Sequence, residues 1–324
     1  MIPKRKALSH DDYTIGWISA LPLEMAAAKA MLDEFHPKLP QDPNDSNIYT
    51  LGSAFGHNVV IACLPSGVYA IRFGLMVGIG GGAPRKEVDI RLGDIVVSKP
   101  TDTFGGVIQY DYGKTIQGGS FLRTGSLNKP PQVLLAAVSE IQTEHMSGRC
   151  QIQTNLARLV KMSPKMSQFT HRGQLYDHLY EAGYDHDGSG STCDQCSKDR
   201  LVLRVPRASS DPVIHYGLIA SGNQVMKEGV TRDRLSRELG IFCFEMEAAG
   251  LMDHFPCLVI RGICDYSDTH KNKQWQEYAA ATAAAYAREL LYVIPPLQVF
   301  RTPTVSDILR HPEALLSPSL CFWK

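Results

Sequence analysis

The chain has 324 residues, with 33 Lys+Arg against 33 Asp+Glu, so its formal net charge is zero. That balance excludes a protein built to coat nucleic acid or to lie on an anionic membrane surface. Hydrophobic residues at 44% and charged residues at 20% exclude disorder over most of the chain.

No run approaches 18 apolar residues, and the lead Met1 to Asp12 lacks the apolar core of a signal peptide, so a cytoplasmic protein without a membrane partner is expected. The eight cysteines are scattered, several of them in apparent strands (Cys63, Cys243, Cys257, Cys264), which predicts buried free thiols rather than a disulfide framework. From Tyr13 onward, short aliphatic runs alternate with helical patterns, the signature of an α/β domain.

Tyr13 to Ser19 predicts a first strand, and Met25, Ala28, Leu32 and Phe35 share one face of a helix predicted over Leu21 to Phe35, opened by Pro22. Ile48 to Ser53 and Val59 to Leu64 predict a hairpin around Phe55-Gly56-His57-Asn58. Further strands are predicted at Phe73 to Ile79, Ile95 to Ser98, Val213 to Ser221, Ile241 to Phe244 and Cys257 to Ile263. An Ala-rich helix over Gln274 to Val293 closes the domain at Pro295-Pro296. Residues 164–206 read as a polar surface insertion, and 294–324 as a tail or linker. Only residues 65–72 separate Leu64 from Phe73, too few for the crossover of a dozen or more residues that usually joins parallel strands.

Five polar clusters fall at or just after predicted strands: Glu24, the glycines Gly78 to Gly82, Ser221 to Met226, Glu245 with Glu247, and Asp265. In open α/β sheets ligands bind at the carboxyl ends of strands, so the five can converge on one pocket. Each has a plainer reading. Gly78 to Gly82 fits a tight strand-to-loop turn, and no long apolar helix follows to make it a dinucleotide motif. Glu245 and Glu247 fit helix N-terminal charges. Asp265 fits a helix cap.

In combination, Ile15-Gly16-Trp17-Ile18-Ser19-Ala20 with Glu24, Gly78 to Gly82, Ser221-Gly222-Asn223-Gln224, Glu245-Met246-Glu247 and Cys264-Asp265 resemble, in order, the motifs of the nucleoside phosphorylase and nucleosidase superfamily. The resemblance spans about 13–293. More closely, GLMVGIGGG, ASGNQVM, FEMEAAG and RGICDYSD are similar to a fungal branch often found at the amino end of NLR-type receptors. It implies a three-layer α/β/α sandwich around a central mixed sheet, and homo-oligomerisation. It also implies cleavage of a purine N-glycosidic bond without metal or organic cofactor. Asp265 would protonate the base, Glu24 would activate water, and Glu247 would accept the ribose hydroxyls with Met246 against the sugar. Val225 and Met226 would line the base, alongside Glu245, Gly80, Gly81, Ser221 and Asn223. Asn223 stands where many relatives carry Asp. Glu24 stands where relatives using phosphate carry a cation nearby, which favours hydrolysis.

Relatives of this branch act on nucleosides or on nucleotides, including ATP. Arg72, Lys99, Lys227, Arg232 and Arg234 are the candidate cations for a triphosphate, and ATP is the specific substrate expected. The alternatives are an inactive nucleotide-sensing module or a phosphorylase. Against relatives, a helix is missing between SGVY and IRFG, around Val68 to Ile71. In the insertion, Cys193-x-x-Cys196 near His178 and His186 is a weak zinc signal. His171, His215 and His270 read as surface or hydrogen-bonded histidines.

Overall fold

A computed structural model of the chain describes residues 7–63, 69–162, 164–186, 190 and 192–310. The first strand, β1 (Ile15–Ile18), is buried along its length and leads into α1 (Pro22–Ala30). This helix is shorter than predicted. It ends at Met31, and Phe35 lies instead in a short exposed edge strand, β2 (Glu34–Phe35). β3 (Thr50–Ala54) and β4 (His57–Ala62) form the hairpin. Its turn is the two residues Phe55 and Gly56, both at positive φ, rather than four, because a two-residue turn of that hand matches the strand twist. His57 is therefore a buried strand residue, its Nε2 facing the carbonyls of Leu291 and Ile294.

β5 (Phe73–Gly82) runs through the whole glycine stretch, of which the sequence reading places Gly80 to Gly82 beyond the strand end at Ile79. None of Gly78 to Gly82 has positive φ, so these residues are glycine for lack of a side chain rather than for backbone freedom. β6 (Ile95–Ser98), β7 (Val107–Gln109), and the pair β8 (Gly113–Thr115) and β9 (Phe121–Arg123) follow. Next come α2 (Gln132–Met146) and α3 (Ile152–Met162), helices with no counterpart in the sequence reading. β10 (Ile214–Ser221), α4 (Gly229–Leu239), β11 (Ile241–Glu245), β12 (Cys257–Asp265) and α5 (Gln276–Val293) complete the domain. The tail is not a free linker as far as Arg310: α6 (Pro296–Arg301) buries Val299, and the N–H at the start of α7 (Val305–Arg310) donates to the Ile71 carbonyl.

The ten-stranded sheet runs β11-β10-β6-β12-β5-β1-β4-β3-β2, with β7 beside β10. It is mixed, since β12 is parallel to β5 and antiparallel to β6. β11 also pairs antiparallel with β5, Phe244 opposite Gly81, and this closes part of the sheet into a ring. α5 lies across β12 and β5 with α1, α2 and α3 against it, and α4 packs on β11. Alanines let α5 sit close: a Cβ on Gly262 of β12 would strike the Ala279 backbone. The fold is the expected three-layer α/β/α sandwich around a mixed sheet.

Cys63 is exposed rather than buried, while Cys243, Cys257 and Cys264 are buried, and no disulfide forms among the described residues. No described helix is long and apolar enough to cross a membrane.

Candidate active site

A cavity of about 220 Å³ opens where β5, β11 and β12 meet α1, lined among others by Glu24, Ile79, Gly80, Gly81, Phe244 and Glu245. Met246, Glu247, Val225, Met226, Gln224, Cys264, Ser267 and Lys271 complete most of the wall. Of the residues singled out from sequence, Glu24, Gly80, Gly81, Glu245, Met246, Glu247, Val225 and Met226 meet here, and Asp265 lies directly behind Cys264 and Ser267.

Glu24 is the third residue of α1 and is 4% exposed. Its Oε2 accepts the N–H groups of Ala20 and Leu21 at 2.8 and 2.9 Å, and Oε1 accepts that of Ile79 at 2.8 Å. The carboxylate thus caps its own helix and fastens it to β5, with lone pairs left for a ligand. Gly78 makes room for it: a Cβ there would collide with Glu24 Oε1 and with Arg261 Nη1.

Arg261, in the middle of apolar β12, is 1% exposed. Its Nη2 donates to Glu245 and, at 3.0 Å, to Glu247. Burial disfavours the guanidinium charge, yet Glu245, Glu247 and Glu24 together raise its pKa above the usual arginine range. Glu245 is fully engaged, accepting also from Glu247 N and Ala248 N. Glu247 keeps more solvent contact. Its pKa is raised by burial first, opposed by Arg261 and reinforced by Glu245 and Glu24.

At the other end of the glycine run, a Cβ on Gly81 would strike Ser267 Oγ and lie 2.6 Å from Asp265 Oδ1. The β12 register slips between Ile263 and Asp265, a bulge that re-aims the strand end. Asp265 is not a helix cap. Its Oδ1 accepts from Ser267 N at 2.9 Å, and its Oδ2 lies 3.1 Å from the Cys264 thiol and 2.9 Å from Lys271 Nζ. Burial opposes the Lys271 charge, but Asp265 raises its pKa overall. Burial, then Asp265, holds the Cys264 thiol protonated.

Other expectations need correction. Ser221 lies behind the wall, where its Oγ accepts from Ala249 N at 2.9 Å and so pins the loop after β11. Asn223 is exposed and off the wall, its N–H bound to Asp111. Four of the five candidate cations are engaged elsewhere: Arg72 with Thr302, Lys99 with Gln142, Arg232 with the Tyr266 carbonyl and Asp268, and Arg234 with Glu238. Lys227 is exposed beside Met226 but does not line the cavity. His215 and His171 are hydrogen-bonded as expected, to Asp94 and to Gly173 N, whereas His270 is buried with neither ring nitrogen bonded. Sequence reasoning missed Arg261 and Lys271, although an arginine inside CLVIRGICD is itself a signal, since a buried guanidinium requires carboxylates.

No protein-family model matches the chain. It is 47% identical over 309 residues to a nucleotide-binding leucine-rich repeat (NLR)-like protein of Hyaloscypha variabilis, a match covering 90% of this chain and 30% of that protein. It is 26% identical over 303 residues to the 5'-methylthioadenosine/S-adenosylhomocysteine nucleosidase of Mycobacterium bovis, covering 88% of this chain and 98% of that enzyme. Among solved structures, the Helicobacter pylori 5'-methylthioadenosine/S-adenosylhomocysteine nucleosidase superposes with a TM-score of 0.53 at 14% identity, covering 87% of this chain and 98% of that one. The H. pylori futalosine hydrolase superposes with a TM-score of 0.51 at 15% identity, covering 87% and 99%. With its mixed sheet and the glycine-thinned junction of β5, β11 and β12, the chain has the nucleoside phosphorylase/nucleosidase fold.

Proposed function

We propose that the protein is a purine N-glycosidase that hydrolyses a nucleoside bearing an uncharged 5' group. The observation that carries this is the division of carboxylates along β5. Glu24, Glu245 and Glu247 gather around Arg261 at the Gly78 end, and Asp265 stands alone with Lys271 at the Gly81 end. Three strand residues span about 10 Å, room for a ribosyl group with a water beside it.

Cleavage leaves a ribosyl oxocarbenium ion and a purine anion, so a proton is needed at the base and a nucleophile at the sugar. In this reading Asp265 serves the base and Glu24 the water, while Glu247, partly neutralised by Arg261, accepts the ribose hydroxyls. Lys271 beside Asp265 would move toward the developing negative charge of the leaving base. The relatives that act on methylthioadenosine fit the apolar remainder of the wall, Leu21, Val225, Met226, Phe244 and Met246.

Charge argues against ATP, the substrate expected from sequence. Four carboxylates face two cations, and Lys271 is the one cation lining the cavity among the described residues. A phosphorylase would also need a free cation for phosphate near Glu24, and the cation there, Arg261, is already paired with Glu245 and Glu247. The test is base release by the purified chain given adenosine, inosine, guanosine, methylthioadenosine, AMP and ATP, each with and without inorganic phosphate. Free base from one or more of the uncharged nucleosides, independent of phosphate, is expected. Adenine from ATP alone would overturn the charge argument, and release only with phosphate would make it a phosphorylase. No release with retained nucleoside binding, unchanged in Asp265→Asn, would make it a sensing module.

A further inference from the structure

Among its described residues, the segment between α3 and β10 has no long helix or strand, yet it buries Phe169, Leu179, Tyr180 and Cys196. Within it, Cys196 N donates to the Cys193 carbonyl at 3.1 Å and closes a turn around the Cys-x-x-Cys. A ring nitrogen of His186 and the two Sγ atoms lie within 4.8 Å of one another. Ligand atoms on a tetrahedral zinc, with Zn–S of about 2.3 Å and Zn–N of about 2.0 Å, are about 3.5–3.8 Å apart, so a small contraction completes three corners. His186 Nε2 faces the Thr192 carbonyl at 3.0 Å. A carbonyl only accepts, so Nε2 carries the hydrogen and the Nδ1 lone pair is free, the orientation that metal-bound imidazoles take from a second partner.

An independent observation supplies the fourth corner. His270, from the loop after β12, has a side chain 4% exposed, and neither of its ring nitrogens has a hydrogen-bond partner. Burying an unpartnered imidazole is costly, and native interiors rarely tolerate it. Its ring stacks on Tyr180 at 4.0 Å and lies 5.6 Å from the ring of His186. Two imidazoles sharing a tetrahedral zinc have centroids about 5 Å apart. Cys193 Sγ already reaches the His270 carbonyl at 3.6 Å, and Asp268 Oδ1 stands 3.9 Å from His270 Nδ1. His178, the other histidine suggested by sequence, packs on Tyr180. Like it, His270 stands outside the 4.8 Å group, so the loop after β12 must close to bring the His270 ring to the ion, whereas His178 has no comparable approach to His186 or Cys193 among the described contacts.

We propose that Cys193, Cys196, His186 and His270 form a Cys2His2 site for a structural zinc ion. The ion ties the 164–206 segment to the loop that follows Asp265. His270 is the neighbour of Lys271, whose Nζ holds Asp265, so the metal fixes the side of the cavity where the base would lie. A second group, His145, Cys150 and Glu289, is already committed: Glu289 Oε1 accepts both from His145 Nε2 and from Gln151 N, and Cys150 is exposed. It serves as the control.

The test is metal content of the full chain by mass spectrometry after loading with Zn2+ and dialysis, with Co2+ loading as a second readout. About one equivalent of zinc is expected, with visible absorption from tetrahedral thiolate-bound Co2+. Cys196→Ser and His270→Ala should each weaken zinc binding by at least about tenfold in competition with a chromophoric chelator, and Cys150→Ser should not. Wild-type protein holding under about a tenth of an equivalent would overturn the site, as would zinc retained in Cys196→Ser or lost in Cys150→Ser. Should Cys196→Ser fail to fold, the wild-type zinc content and Co2+ spectrum still decide. None of these readouts depends on glycosidase activity.

Discussion

Replacing Arg261 with methionine tests whether the carboxylate cluster is held by one buried charge. The side chain is 1% exposed and pairs with Glu245 and Glu247, with Glu24 facing the same space across Gly78. Methionine fills much of the volume and supplies no charge, so carboxylates would be left facing one another out of water. Removing one partner of such a buried pair costs about 3–5 kcal/mol. For 324 residues the unfolding entropy is about 0.7 kcal/mol per degree, so Tm should fall by about 4–7 °C at neutral pH. Without the cation the carboxylates take up protons more readily in the folded state than in the unfolded one. The folded variant is therefore favoured as pH falls, and the deficit should shrink below about pH 5. Differential scanning calorimetry of both proteins between pH 4 and 8 reads both effects. A Tm within about 1 °C of wild type at pH 7, or a deficit constant with pH, would refute the reasoning.

Asp265→Asn should lower base release by about 10²–10⁴-fold in protein that circular dichroism shows to be folded, and a variant near wild-type rate would remove Asp265 as the acid. Gly81→Ala places a methyl against Ser267 Oγ and 2.6 Å from Asp265 Oδ1, so it should destabilise by about 1–3 kcal/mol and raise KM, read by denaturant titration and steady-state kinetics. Because burial, against the opposing pull of Arg261, raises the Glu247 pKa, ribose binding should weaken as pH falls through a value above the usual glutamate range. KM for nucleoside should then rise on acidification before kcat changes. Asp94 is held below the usual carboxylate range by Arg207 and His215 despite burial, so its contribution is present above that range and lost as pH falls through the folded-state value. Asp94→Asn should cost about 3–5 kcal/mol at neutral pH, a gap that closes in acid when followed by thermal unfolding.

Strands were the legible part of this fold, because each is an aliphatic run bounded by turn residues. Ile95–Ser98 matches its prediction, and Val213 to Ser221 differs from β10 by one residue. The glycine run was misplaced for a physical reason. Glycine normally marks a turn, but Gly78 and Gly81 here are strand positions emptied so that Glu24, Arg261 and Asp265 can approach the backbone. That distinction depends on neighbours far away in sequence. α2 and α3 were readable and unread: Leu134, Ala137, Val138 and Ile141 recur at helical spacing after Pro130-Pro131. The carboxylates of the cavity were visible as motif positions, whereas Lys271 carries no local signal, since its meaning comes only from folding back onto Asp265.

The expected loss of a crossover helix near 65–72 falls largely on 64–68, outside the described residues, but the strands on either side show which part of the sheet that link serves. The two strands do not pair with each other. They flank β1, both parallel to it. The pairing of β5 with β1 runs from Ile15↔Phe73 to Ile18↔Met76, and the first cavity-forming glycine comes only after it. Gly78 to Gly82 are registered instead by β12 and β11, elements that enter from the far end of the chain. The link between β4 and β5 therefore meets the sheet on the β1 side, where Val305 and Arg72 bring the tail helices against 71–72, and the carboxylate geometry rests on β5, β11 and β12.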